Sequence, residues 1–319
     1  MTARRAALRR RPGAPAPRAA GAVAARAAGL AAVVAAGAAA TGLLRRPTGA
    51  PVPVVTPRGQ TVPLAGSGLY RYDSVFTAAG NTAVDAVVLA LGVPLVITAW
   101  QQHRAGSPRG SLLLTGAFGY LLYVYATYAV GVAYNPLFLA YVTLTATALW
   151  GLAAAAAATD RAALAVAAAD PAVPHRALSW FLLAAAATTA AVWTPPLVTA
   201  LLEGRPPDLL EGATTPVTHA LDLAVVTPAA ALAGLLVRRR DPRGYLLAAP
   251  LLVLIAMLLP TIGVSTALQA AAGISFTVPE VVGPVAGFGV LGLVGAGLLR
   301  RLLRAVPTRL TTTLPAPAG

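Results

Sequence analysis

The sequence has no cysteine, which rules out disulfides, thiolate metal sites and cysteine nucleophiles. Lysine is missing too, so all 24 basic residues are arginine. Histidine is limited to His103, His175 and His219, too few for an all-histidine metal site unless distant loops converge. Charge is scarce: 11% of the 319 positions are charged, against about 25% in soluble domains. No Walker loop, dinucleotide fingerprint, nucleophile elbow or His-Glu-x-x-His motif occurs. Only His219 falls within an apolar run, which argues against a haem held between intramembrane histidines. The sequence therefore identifies no cofactor.

What is abundant is apolar surface. Hydrophobic residues make up 57% of the chain and the mean hydropathy is +0.73, so lipid is the expected solvent and partner for most of it. A net charge of +14 raises the question of nucleic acid. The arginines recur in short clusters between apolar runs rather than along one basic face, a distribution that belongs to membrane topology, and no nucleic-acid partner is expected.

Eight apolar runs are found, at 27–44, 79–100, 111–132, 137–158, 178–202, 217–237, 245–267 and 281–299. Helices are the expected form, because isolated strands would leave backbone groups unpaired in hydrocarbon. The first run is short for a span of about 20 residues. It follows a positive segment and has Ala-x-Ala sequences near Ala38 to Ala40, so a cleaved signal competes with the retained anchor favoured here. With the N-terminus inside, the only outer arginines are Arg45, Arg46, Arg58, Arg71 and Arg205, so both termini are expected in the cytoplasm.

The expected fold is thus an all-α membrane protein of about eight transmembrane helices. Its parts are a disordered arginine-rich tail (1–26), a first four-helix half (27–158), a cytoplasmic linker (159–177), a second four-helix half (178–304) and a second tail (305–319). The outer loop 45–78 holds VPVVTPRGQTVPL, Val-rich runs around a turn signal, which predicts a small extracytoplasmic hairpin between helices 1 and 2. Tyr70, Tyr72 and Phe76 follow where aromatic rings favour the membrane interface.

An internal repeat is suggested by two stretches. Asp85 leads through an apolar run to Ser107-Pro108-Arg109-Gly110, and Asp222 leads through another to Asp241-Pro242-Arg243-Gly244. Aligning the two aspartates makes the second loop the shorter one and implies two parallel four-helix repeats. Both acids would then lie about 22 Å above the inner helix end, at 1.5 Å per residue.

Intramembrane acids are functional suspects. His219 shares a helix face with Asp222, and Asn81 shares one with Asp85. Tyr128, Tyr134 and Asn135 reach the same level, so an outward-facing polar pocket between the halves is expected, with Asp85, Asp222, His219, Asn81, Tyr128, Tyr134 and Asn135 as candidate ligand residues. Three readings fit it. The acids hold helices together through hydrogen bonds, in a structural or assembly protein with a membrane-protein partner. They bind or transport a cation, a proton or a small polar solute. Or His219, Asp222 and Asp85 ligate a metal in a membrane-embedded enzyme, although zinc usually wants more nitrogen or sulfur.

The stretches GLYRYDSVFTAAGN, GYLLYVYATYAVGVAYNPLFLAY and THALDL followed by proline resemble a group of uncharacterised bacterial multi-pass membrane proteins over roughly residues 60–270. The resemblance implies a shared membrane fold and carries no established activity or catalytic residue.

Overall fold

The computed structural model describes residues 17–207 and 210–308. Residues 1–16 and 309–319, most of the two expected tails, lie outside the described residues. Among the described residues, eight helices are long and apolar enough to cross a membrane, the build of a polytopic membrane protein.

The first helix, α1 (Pro17–Leu44), begins ten residues before its apolar run, so the stretch 17–26 is helix and not tail. The reason is local: Pro17 suits a first helical turn, and the alanines after it are the strongest helix formers. Its small-residue face, including Ala24, Ala28, Ala31 and Ala35, is buried. Small side chains let neighbouring helices approach closely, here α3 (Val93–Arg104) and α5 (Phe138–Ala158). After α1, β1 (Val52–Val55) pairs antiparallel with β2 (Thr61–Leu64), with Val54 opposite Val62.

The second span is interrupted. It runs as α2 (Val75–Val87), a π-helical turn (Val88–Gly92) and α3. The sixth repeats the pattern as α8 (Val217–Leu221), a π-helical turn (Asp222–Val226) and α9 (Thr227–Arg238). Proline explains both turns. Pro94 and Pro228 have no N–H for the carbonyl four residues back, so the ladder slips by one: Val93 N–H bonds Val88 O, and Thr227 N–H bonds Asp222 O.

Beyond each turn the two stretches keep step without a gap. Each has a five-residue π turn, a twelve-residue helix, a left-handed residue (Gly106 or Arg240), an N-cap (Ser107 or Asp241) and a proline-led helix. Those helices are α4 (Pro108–Gly131) and α10 (Pro242–Ala271). Gly110 and Gly244 lie so close to the preceding helix end that a side chain would strike its backbone. This register corrects the alignment read from the sequence. The loops are equal in length, Asp85 matches His219, and the two aspartates sit about one helical turn out of step.

The expected linker holds a helix of its own, α6 (Arg161–Ala169), started by Asp160, whose carboxylate accepts the Ala162 N–H at 2.7 Å. It packs on α10 and on α11 (Val278–Ala305) and leads into α7 (His175–Leu202).

One end of the bundle gathers the start of α1, the α3–α4 turn, α6, the α9–α10 turn and the end of α11. His103 Nε2 donates to Gly21 O at 3.0 Å, Arg109 donates to Val306 O and Arg304 O, and His175 joins Asp170 O to the Tyr245 hydroxyl. The opposite end holds the β hairpin, the start of α2, the α4–α5 turn and the α7–α8 loop. There Arg58 donates to Glu211 O and Ala213 O, and the Glu211 carboxylate accepts from Ser74 and Thr77. The first end is rich in arginine; the second has Arg45, Arg46, Arg58, Arg71 and Arg205.

Candidate functional site

The two intramembrane aspartates fall on different sides of α4. A residue step of about 100° puts Tyr123 some 160° around that helix from Tyr125. Tyr125 and Tyr128 look toward Asp85, and Tyr123 looks toward Asp222.

Asp85 is 2% exposed. Its Oδ2 accepts the Tyr70 hydroxyl at 2.5 Å, and the carboxylate lies directly against Gly42 of α1, where any side chain would collide with it. Glycine at 42 is therefore what lets a carboxylate enter the α1–α2 contact. Tyr70, Tyr125, Tyr128 and Tyr141 form a ring cluster next to it. Tyr128 meets Tyr141 edge-on at 5.1 Å and Tyr125 edge-on at 5.8 Å. The Tyr128 hydroxyl donates to Asn81 O at 2.8 Å.

Five buried polar atoms of this region lack a hydrogen-bond partner: Asp73 Oδ2, Asn81 Nδ2 and the hydroxyls of Tyr120, Tyr125 and Tyr141. Buried polar groups are normally satisfied, so such a concentration points to a group that takes or gives hydrogen bonds there. No arginine or histidine pairs with Asp73 or Asp85 among the described residues.

Asp222 is held differently. Its Oδ1 accepts the Tyr123 hydroxyl at 2.9 Å and its Oδ2 accepts the Trp193 indole N–H at 2.8 Å, which ties α4, α7 and the π turn together. The His219 ring lies 4.1 Å from that of Trp193, tilted by 48°.

The seven candidate residues thus divide. Asp85, Asn81 and Tyr128 share one cluster, and Asp222 and His219 share another. Asn135 is buried in the α4–α5 turn, where its Oδ1 accepts the Leu137 N–H at 2.9 Å. Tyr134 is 76% exposed, with its ring 5.6 Å from that of Phe138. Among the described residues no three His, Asp or Glu side chains converge on a metal position. Two open clefts, of about 320 and 460 Å³, are lined by neither aspartate.

Asp73 is not among the candidate residues, and Tyr70 departs from its expected interfacial role. Tyr70 is 1% exposed while Tyr72, two residues on, is 57% exposed. Burial holds the Tyr70 hydroxyl far above its ordinary pKa, so it stays a donor. The only signal in the sequence was the adjacency of Asp73 to Ser74, which reads as an ordinary helix start. No family model, curated protein or solved structure matches this chain.

Proposed function

We propose that this protein binds a small cation, the proton included, at Asp85, as the binding or transport component of a bacterial cell membrane. The observation that carries the reading is the set of unpaired buried polar atoms around a carboxylate that no basic residue neutralises. A cation there gains the carboxylate, the tyrosine oxygens and the faces of the rings. The arginine-rich end faces the cytoplasm in this reading, because retained positive charge marks the inner side. The matched π turns and helical hairpins support a pair of parallel four-helix repeats, in which the first half has kept the site.

Asp222 reads as a clamp, since both of its oxygens are already used. An assembly role with a membrane partner has one observation in its favour: α7 and α11 bury only 11% and 12% of their spanning windows within the chain. Among the described residues, a metal-dependent enzyme would have only the His219–Asp222 pair to work with.

The test is thermal unfolding of the full chain in lipid nanodiscs, titrated with sodium, ammonium or hydrogen ions. A ligand at about one hundred times its Kd stabilises by about 2.7 kcal/mol. One of these ions is expected to raise Tm saturably, with the response lost in Asp85→Asn, or for hydrogen ions reduced to the share that Asp73 contributes, and kept in Asp222→Asn. An Asp85→Asn protein that responds like the parent would refute the assignment.

A further inference from the structure

The cleft of about 320 Å³ lies at the arginine-poor end, along the first turns of α2 and between the ends of α1 and α10. Most of its inner surface is apolar: Ala78, Ala79 and Thr82 of α2, Leu268 and Ala271 of α10, and Ala65 just after β2. Ala65, Ala78 and Thr82 are buried, so the cleft has a closed floor. The Thr82 hydroxyl donates to Ala78 O at 2.8 Å and is not free to donate to a ligand. Small side chains make the room.

Arg46 stands just past α1 and is the one charged residue among those that line the cleft. Its backbone is strapped in place. Leu69 N–H bonds Arg45 O at 2.8 Å, and Gly68, in the left-handed region, lies so close to residues 45–47 that a side chain would strike their backbone. Arg46 Nε donates to Leu43 O at 3.0 Å, and among the described residues no carboxylate pairs with the guanidinium. Glu211 and Asp73 are hydrogen-bonded to Ser74, Thr77 and Ala133, and neither lines the cleft.

An unmatched guanidinium beside an apolar hollow is complementary to an anion with a hydrocarbon tail. A zwitterionic head would bring an ammonium group for which the lining has no acid. We propose that this cleft holds one anionic phospholipid of the adjoining leaflet, with its phosphate on Arg46 and the first part of an acyl chain against α2 and α10. The arginine fork matches a pair of phosphate oxygens. A volume near the lower bound of about 300 Å³ for small-molecule pockets suits a headgroup and a few methylenes, with the rest of the lipid left in the bilayer. Neither Asp85 nor Asp222 lines the cleft, so this site stands apart from the cation reading.

Native mass spectrometry of the full chain tests the site. The chain is released from neutral detergent micelles that hold equal amounts of dioleoyl phosphatidylglycerol and dioleoyl phosphatidylcholine. One phosphatidylglycerol is expected to stay on each chain at concentrations where phosphatidylcholine does not. Arg46→Gln removes the charge and Ala79→Phe fills the hollow, and each is expected to weaken that retention by about tenfold or more. Arg45→Gln, one residue away and outside the cleft, is expected to keep it at the parent level, which separates a built site from general attraction to basic residues. Equal retention of the two lipids, an equal loss in Arg45→Gln, or parent-like retention in both cleft variants overturns the proposal. Displacement of the lipid by inorganic phosphate would assign Arg46 to a soluble anion and overturn it as well.

Discussion

At the scale of single residues, Asp73 and Asp85 are carboxyl groups kept out of water with little to neutralise them. Asp73 shows what that costs the fold. Its ordinary pKa is 3.8 and burial raises it to about 7, so the folded chain holds this proton more firmly than the unfolded chain does. Such a group stabilises the fold at low pH, and the contribution drains away as pH rises from the unfolded value to the folded one. Stability is therefore expected to fall between about pH 4 and pH 7 by a few kcal/mol, with Asp73→Asn flattening the slope. Unfolding midpoints of parent and variant across that range check it, and identical slopes would contradict it. Asp241 works in the opposite direction: Arg243 beside it lowers its carboxyl to about 2, so it stays ionised throughout that range.

At the scale of elements, the two π turns decide where the acids point. Asp222 opens its turn, and Asp85 sits just ahead of the corresponding one. Restoring the missing N–H with Pro228→Ala lets the ladder close as an α-helix. Removing the extra residue of the bulge rotates everything before it by about 100°. Asp222 then swings away from Trp193 and Tyr123, at a cost of about 1–2 kcal/mol for two intramembrane hydrogen bonds. The chain has four tryptophans, so the Trp193 indole N–H resonance is easily assigned by substitution. It is expected to shift in Pro228→Ala, and an unchanged resonance would mean that the turn survives without its proline.

These turns also mark the limit of what could be read from the residues. Long apolar runs announced the spans, because length and hydropathy alone decide whether a helix is at home in lipid. The prolines were visible too, but not their effect on register, and an alignment anchored on two aspartates placed them at one level. Tyr70 and Tyr72 have the same side chain and nearly the same neighbours in sequence. Tyr70 is the one that packs against Tyr128, Asp85 and Gly42 of α1, contacts that join segments far apart in the chain. Asp73, Asp85 and Tyr141 come from separate segments, and no local periodicity links a loop acid to a tyrosine on α5.

At the scale of the whole molecule, charge separates the two ends. Arg104, Arg109, Arg161, Arg176 and Arg238 to Arg240 crowd one end, and the hairpin and the Glu211 loop close the other. Positive charge is retained on the cytoplasmic side during insertion, so the hairpin and the Glu211 loop should face outward. The absence of cysteine makes this directly measurable, since one introduced thiol is the only thiol in the chain. Val55 is 67% exposed on β1, and Ala105 is exposed in the α3–α4 turn. In intact cells a membrane-impermeant maleimide is expected to label Val55→Cys, and to label Ala105→Cys only after the membrane is opened. The reverse pattern would turn the molecule over and put the hairpin and the Glu211 loop in the cytoplasm.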